Sequence, residues 1–243
     1  MSSFLESVAW GKPALSLLES LRCLEPDKPA VLHIRHTERP LYNPDTSNQL
    51  QCTIEGRKAA AEFGRRVPPE RSVCLYSTKI WRAEETAQCI GEGLAYRGIA
   101  PKYYERFDDL MILDPQNATK YLSENLKRSR GEVEASINFT NNWCAGLTPP
   151  AFCDSMRFAQ FFADHFQVGF EGMEPTELSI YVTHDVWVGC LLWHWFGIPT
   201  PSDGIGFLDG FLLQPRKDAM TLWFRGEKRS VVYPPWWKST QMR

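Results

Sequence analysis

The strongest constraint in this chain is a set of short runs that are apolar almost throughout: Ala30–Ile34 (AVLHI), Ser72–Tyr76 (SVCLY) and Leu178–Val182 (LSIYV). A strand with one wet face alternates apolar and polar residues, whereas an unbroken apolar run suits a strand covered on both faces, as in a parallel sheet between helical layers. Helical spacing fills the gaps. Pro13–Leu24 is stopped by Glu25-Pro26-Asp27-Lys28-Pro29, Thr53–Phe63 opens on the N-cap candidate Thr53, Trp81–Leu94 follows the turn Ser77–Lys79, and Val186–Phe196 ends at Gly197-Ile198-Pro199. Pro101–Tyr104 reads as a further strand. From about Leu110 to Gly172 the pattern is helical, over Gln116–Arg128, Glu132–Trp143 and Phe152–Phe166. The tail offers strands at Gly206–Leu213, Ala219–Phe224 and Lys228–Tyr233, a closing antiparallel edge. The expectation is an α/β three-layer sandwich with a mostly parallel central sheet, helices on both faces and a helical cap insertion at about 110–150, in a single domain over 1–243.

Several classes of function are disfavoured by composition. With 43% hydrophobic and 23% charged residues the 243-residue chain can build an ordinary core, and its formal net charge of −2 carries no bulk bias toward nucleic acid or an anionic membrane, so neither is expected as a partner. No apolar run reaches the roughly 18 residues of a membrane-spanning helix. The N-terminal MSSFLESVAWGKPALSLLESL lacks the basic start and apolar stretch of a signal peptide. Seven cysteines (23, 52, 74, 89, 144, 153 and 190) form no C-x-x-C pair, and an odd number cannot all be paired within the chain; free thiols in a reducing compartment are expected. Asn117-Ala118-Thr119 and Asn138-Phe139-Thr140 are then accidental matches to a glycosylation pattern. The expected location is the cytoplasm.

In doubly wound sheets ligands sit beyond the C-terminal strand ends. The first apolar run ends in Arg35-His36, with Arg39 shortly after. Past a short turn the second delivers Arg82 to the start of a helix, and the last ends in Thr183-His184-Asp185. Three arginines and two of the chain's five histidines thus fall on one edge. Guanidinium forks converging with helix N-termini describe an oxyanion site suited to phosphate. A histidine among those cations is held neutral, so a ring nitrogen stays bare and able to attack phosphorus. The departing oxygen then needs a proton from a nearby carboxylic acid.

These residues resemble the histidine phosphatase superfamily, with its phosphoglycerate mutase-like and acid phosphatase branches. Arg35-His36 matches the R-H-G signature, with Thr37 in place of glycine; Glu38 is similar to the mutase-like continuation and Arg39 to the acid phosphatase one, although Pro40 falls one residue early. Thr53-Ile54-Glu55-Gly56-Arg57-Lys58-Ala59 looks like the helix T-x-x-G-x-x-A. The stretch from Ser77 through Arg82-Ala83 to Thr86-Ala87 looks like S-x-x-x-R-A-x-x-T-A with one residue more before the arginine, Asp154-Ser155 with Arg157 is similar to a helix start E-S-x-x-x-R with the arginine two residues early, and His184-Asp185 matches the second histidine in its H-D form.

The resemblance implies a metal-independent phosphatase that hydrolyses phosphomonoesters through a phosphohistidine at His36. Arg35, Arg82 and His184 would be phosphate ligands, with Arg39 a further candidate. The proton donor is left between Glu105, after the third strand, and Asp185; overall size and helix order tilt the choice slightly to Glu105. No cofactor and no metal are expected, and the substrate would be a phosphorylated small molecule or a phosphoprotein, selected by the 110–150 insert and the 40–50 loop. Oligomeric state is left open. A phosphomutase of the same superfamily is one alternative, and a catalytically weak phosphate- or phosphoprotein-binding module another. A metal-dependent hydrolase built on His33-x-x-His36 with His184-Asp185 fits less well, since residues three apart on a strand point to opposite faces. Glu38 is expected to partner an arginine, and His33, His165 and His194 to be packing residues.

Overall fold

The computed structural model describes residues 3–43, 49–108 and 110–237; the side chains of Tyr104, Glu105 and residues 167–171 lie outside the described part. Along the chain run α1 (Phe4–Ser7), α2 (Lys12–Leu21), β1 (Ala30–Arg35), α3 (Ile54–Arg66), β2 (Ser72–Thr78), α4 (Trp81–Tyr96), β3 (Lys102–Phe107), α5 (Pro115–Arg128), α6 (Glu132–Cys144), α7 (Ser155–Gly172), β4 (Glu177–Thr183), α8 (Asp185–Phe196), β5 (Gly210–Pro215), β6 (Ala219–Phe224) and β7 (Glu227–Val232). The seven strands form one sheet in the order β3-β2-β4-β1-β5-β6-β7. The first four are mutually parallel, and β5, β6 and β7 add on antiparallel.

The three apolar runs became β1, β2 and β4, contiguous in the middle of the sheet. Their alternate residues feed two cores. Leu32, Ile34, Leu75, Ile180 and Val182 face α1–α4, while Val31, Tyr181 and Phe211 meet the aromatic residues of α6, α7 and α8. On the first face α3 and α4 pack backbone to backbone. A Cβ on Gly64 would stand 2.1 Å from the Ile90 carbonyl oxygen, and one on Gly93 2.0 Å from that of Ala61. Thr53 caps α3 as expected, its hydroxyl accepting from Gly56 N at 2.9 Å.

β2 runs on to Thr78, through the first two residues of the expected turn Ser77–Lys79, and two other strand boundaries differ by more. β3 continues to Phe107, which places Glu105 inside the strand and not after it. Phe107 is buried against Tyr76 and Tyr181, and its carbonyl accepts from Lys79 N at 2.8 Å; that anchor extends the pairing through polar residues that an edge strand tolerates. At the other end β5 starts at Gly210, four residues later than Gly206. Leu208 adopts φ 52°, outside the extended region, and so breaks the strand. The Asp209 carboxylate, paired with Arg225 at 2.8 Å, accepts from Gly206 N at 3.3 Å and Gly210 N at 2.8 Å and so holds the turn that precedes β5.

Candidate active site

β1 and β4 exit side by side, and His36 N donates to the Thr183 carbonyl at 2.9 Å. β4 then places His184 at the N-cap of α8, and β2 places Arg82 in the first turn of α4. The imidazoles of His36 and His184 stand 5.6 Å apart between centroids, at 67°. Arg82 bridges them: Nε is 2.9 Å from His36 Nε2, and Nη2 is 3.4 Å from His184 Nδ1. All three are buried, at 2%, 8% and 9% exposure.

These contacts fix the tautomers. His36 Nδ1 lies 2.7 Å from the Thr37 carbonyl, which can only accept, so Nδ1 carries the proton. Arg82 can only donate, so His36 Nε2 presents its lone pair. By the same reasoning His184 Nδ1 accepts and Nε2–H donates to the Thr78 hydroxyl at 3.0 Å. Burial holds the His36 imidazole well below its ordinary range, and Arg82, Arg35 and His184 push it further down. Burial and then Arg82 lower His184 as well, against an opposing pull from Asp185. Arg82 itself is pushed down to about 10, chiefly by burial, and stays charged at neutral pH.

Arg35 donates to the Ile205 carbonyl at 2.6 Å, stacks over the Phe207 ring at 4.5 Å and lies 3.5 Å from Asp185 Oδ2. Asp185 also accepts from the Ser136 hydroxyl of α6 at 2.8 Å. Burial raises its carboxyl, but Arg35, Ser136, Arg39 and His184 outweigh that and hold it below the ordinary carboxylate range. Arg39 pairs with Glu132, the first residue of α6, at 3.0 Å. Arg35, His36, Arg39, Arg82, His184 and Asp185 line one cavity of about 700 Å³. Its opposite wall comes from α5 and α6, through residues such as Leu122, Leu126, Val133, Ser136 and Phe139. The side chain of Glu105 lies outside the described residues, as do residues 44–48 of the 40–50 loop.

Thr37, the departure from glycine, is fully buried and fits without strain: its φ is not positive, its hydroxyl donates to the Gly56 carbonyl at 2.9 Å, and its N–H donates to Thr86 Oγ1 at 3.1 Å. Glu38 does not partner an arginine. It accepts from the Trp10 indole at 3.0 Å and the Thr53 hydroxyl at 2.7 Å, two uncharged donors that tie the loop after β1 to α3. Glu84 and Glu85, the ordinary partners for a helix-borne arginine at position 82, pair instead with Arg106 and Arg57. His33 is packed among Phe162, Phe166, Tyr181 and Phe211 with Nε2 on Thr183 Oγ1 at 2.6 Å, so it does not join His36 in the cavity. Asp154 caps α7 by accepting from Arg157 N at 2.8 Å. Sequence reasoning missed Thr78, Ser136 and Glu132. The first stands just beyond the strand that was read to end at Tyr76, and the other two sit on a helix whose facing side no local pattern declares.

No family model matches the chain, and no curated protein matches it in sequence. Among solved structures, Bacillus stearothermophilus YhfR is similar over 84% of this chain and 96% of its own, at TM-score 0.52 and 16% identity. A mycobacterial glucosyl-3-phosphoglycerate phosphatase aligns over 84% and 97% at TM-score 0.48 and 16% identity. Entamoeba histolytica phosphoserine phosphatase, in complex with 3-phosphoglyceric acid, aligns over 86% and 98% at TM-score 0.47 and 12% identity. Likeness at such identity is likeness of fold. The α/β sandwich with a mostly parallel central sheet expected from the sequence is the fold of this chain, and its fold is similar to that of YhfR.

Proposed function

We propose that this chain is a phosphatase that hydrolyses phosphomonoesters through a phosphohistidine at His36 Nε2, with no metal in the reaction. The observation that carries the reading is the Arg82 bridge between two neutral imidazoles within one cavity. An entering phosphoryl group draws the Arg82 guanidinium onto its oxygens and releases the Nε2 lone pair. Nε2 attacks phosphorus, the P–O ester bond breaks, and Arg35, Arg82 and His184 hold the equatorial oxygens, with Arg39 further out. The departing alkoxide takes a proton from a carboxylic acid; water then attacks the phosphohistidine, gives a proton back to that carboxylate, and frees phosphate and Nε2.

Asp185, which lines the same cavity as His36 and adjoins His184, is one candidate acid. Its carboxyl is held ionised by Arg35 here, and a phosphate that engages Arg35 weakens that hold and favours protonation. Glu105 is the alternative donor. The helices α5 and α6 act as the cap of a single domain and select the alcohol. Their wall is largely apolar, no lysine lines the cavity among the described residues, and Arg39 and Arg35 already face Glu132 and Asp185. That favours a small molecule with one phosphate on an apolar or aromatic group over a multiply charged ester. All seven cysteines are free thiols, which supports the cytoplasm as the location. No helix among the described residues is long and apolar enough to cross a membrane.

The test is turnover of p-nitrophenyl phosphate together with trapping of an acid-labile, alkali-stable phosphoprotein. Wild type should do both and His36→Ala neither. Undiminished hydrolysis by His36→Ala ends the proposal, and phosphate binding without hydrolysis over a wide pH range turns it into the binding-module reading.

A further inference from the structure

A second cluster of reactive side chains lies at the far end of α6 from the cavity. Cys190 and His194 stand four residues apart on α8 and therefore share a helix face. Cys144, the last residue of α6, comes onto that face, and one candidate ligand atom from each of the three lies within 4.8 Å of the others. Two sulfurs on a tetrahedral zinc ion sit roughly 3.8 Å apart, given Zn–S bonds of about 2.3 Å. The cluster therefore approaches the spacing of a bound state, and side-chain torsions alone can close the difference. Ser155, the first residue of α7, holds two of the three in place. Its hydroxyl is 3.0 Å from His194 Nε2, and its carbonyl accepts from Cys190 Sγ at 3.5 Å. A polar partner that orients a ligating imidazole is the usual support of a metal site. None of these side chains belongs to the anion cavity: α6 carries Glu132 and Cys144 at its two ends, about 18 Å apart along the axis.

We propose that Cys144, Cys190 and His194 form a binding site for one borderline-soft divalent metal ion, of which Zn²⁺ is the type. Two thiolates and one imidazole leave a fourth position for water or for Cys153, which precedes α7 and whose carbonyl accepts from the Trp143 indole at 2.7 Å. Binding releases the thiol protons, so uptake strengthens as pH rises. The ion clamps the end of α6 to α8, the helix that starts with Asp185. The clamp is structural, and it stands whether or not His36 carries a phosphoryl group.

The test uses the full chain, reduced and freed of metal with a chelator, then titrated with Co²⁺ and Zn²⁺. One equivalent of Co²⁺ should produce a thiolate-to-metal charge-transfer band, Zn²⁺ should displace it, and Zn²⁺ should raise Tm. Cys144→Ser and Cys190→Ser should each weaken the band, since one thiolate remains, and weaken Zn²⁺ by on the order of 100-fold, and the double variant should lose the band. Ser155→Ala, which removes only the support, should keep the band and weaken Zn²⁺ by about tenfold. Three results overturn the proposal: no band from wild type that circular dichroism shows to be folded; a band that persists in Cys144→Ser/Cys190→Ser; or a Cys144–Cys190 disulfide that forms in air despite excess Zn²⁺.

Discussion

The floor and the roof of the cavity are built on opposite plans. The floor comes from the exits of β1, β2 and β4, where His36, Arg82 and His184 are buried and bonded to one another. The roof comes from α5 and α6, where Leu122 and Leu126 are only partly covered and Val133 is 53% exposed. Strand exits in the middle of a sheet are held by backbone ladders on both sides, so a side chain there keeps its position to a fraction of an ångström. A helix packed over such a site has fewer neighbours and tolerates change. On the function proposed above, this difference puts chemistry on the floor and choice of substrate on the roof.

Five experiments break or sharpen that division. The largest effect is expected at Arg82: Arg82→Ala should lower kcat/KM by about 2–4 kcal/mol, through kcat as well as KM, because the guanidinium serves the transition state. Near-normal kcat/KM in this variant contradicts its place in the floor. Asp185→Asn comes next and depends on the leaving group, with an expected loss of about 10²-fold on an alkyl phosphate and a much smaller one on p-nitrophenyl phosphate, whose anion departs unaided. If Glu105→Gln shows that pattern and Asp185→Asn does not, the donor is Glu105.

A smaller effect is expected in the roof. Leu126→Asn should raise KM for an aromatic phosphate by roughly tenfold and leave kcat nearly unchanged, since one apolar contact in a pocket is worth about 1–3 kcal/mol. A matching fall in kcat would give the roof a part in the chemistry. The smallest effect on turnover concerns pH. His36 is held neutral well below its ordinary range, so kcat/KM should not fall through its protonation as pH drops through 6.5, where an ordinary imidazole titrates. Stability should behave differently. Burial pushes His33 down to about 3 in the folded state, while the unfolded chain takes up that proton near the ordinary imidazole value of 6.5. The unfolded state therefore binds more protons between those values, and the associated stability is complete above the upper one and lost as pH falls toward the lower. Denaturant midpoints measured across this window should fall with pH, and His33→Gln should flatten the slope.

Much of the floor was legible in the sequence because strand exits have a local signature: an apolar run, then charge. Arg35-His36, Arg82 and His184-Asp185 each follow such a run, and their order along the chain carried the resemblance. The start of α3 and the end of α8 were also locally readable, since Thr53 and Gly197 mark them by backbone chemistry alone. The roof was legible only as helices. That Ser136 meets Asp185 and Glu132 meets Arg39 depends on how α6 is set across the sheet, which no spacing within α6 encodes. The same limit hid Cys144, Cys190 and His194. Cys190 and His194 are one turn apart and visible as a pair, but the third partner lies 46 residues away on a different helix. Glu38 misled for a local reason, because an acid beside arginines suggests an ion pair and its partners are an indole and a hydroxyl.

At the far margin of the sheet, β7 opens with Glu227, Lys228 and Arg229, all exposed, and Glu227 pairs with Arg229 along the same strand. An outermost strand offers unpaired backbone groups to any passing extended peptide, including another copy of itself. Clustered charge makes that approach costly, because two such margins meeting would have to desolvate six ionic side chains together. Replacing this trio with threonine or valine would turn that margin of the sheet into a seed for fibrous self-association.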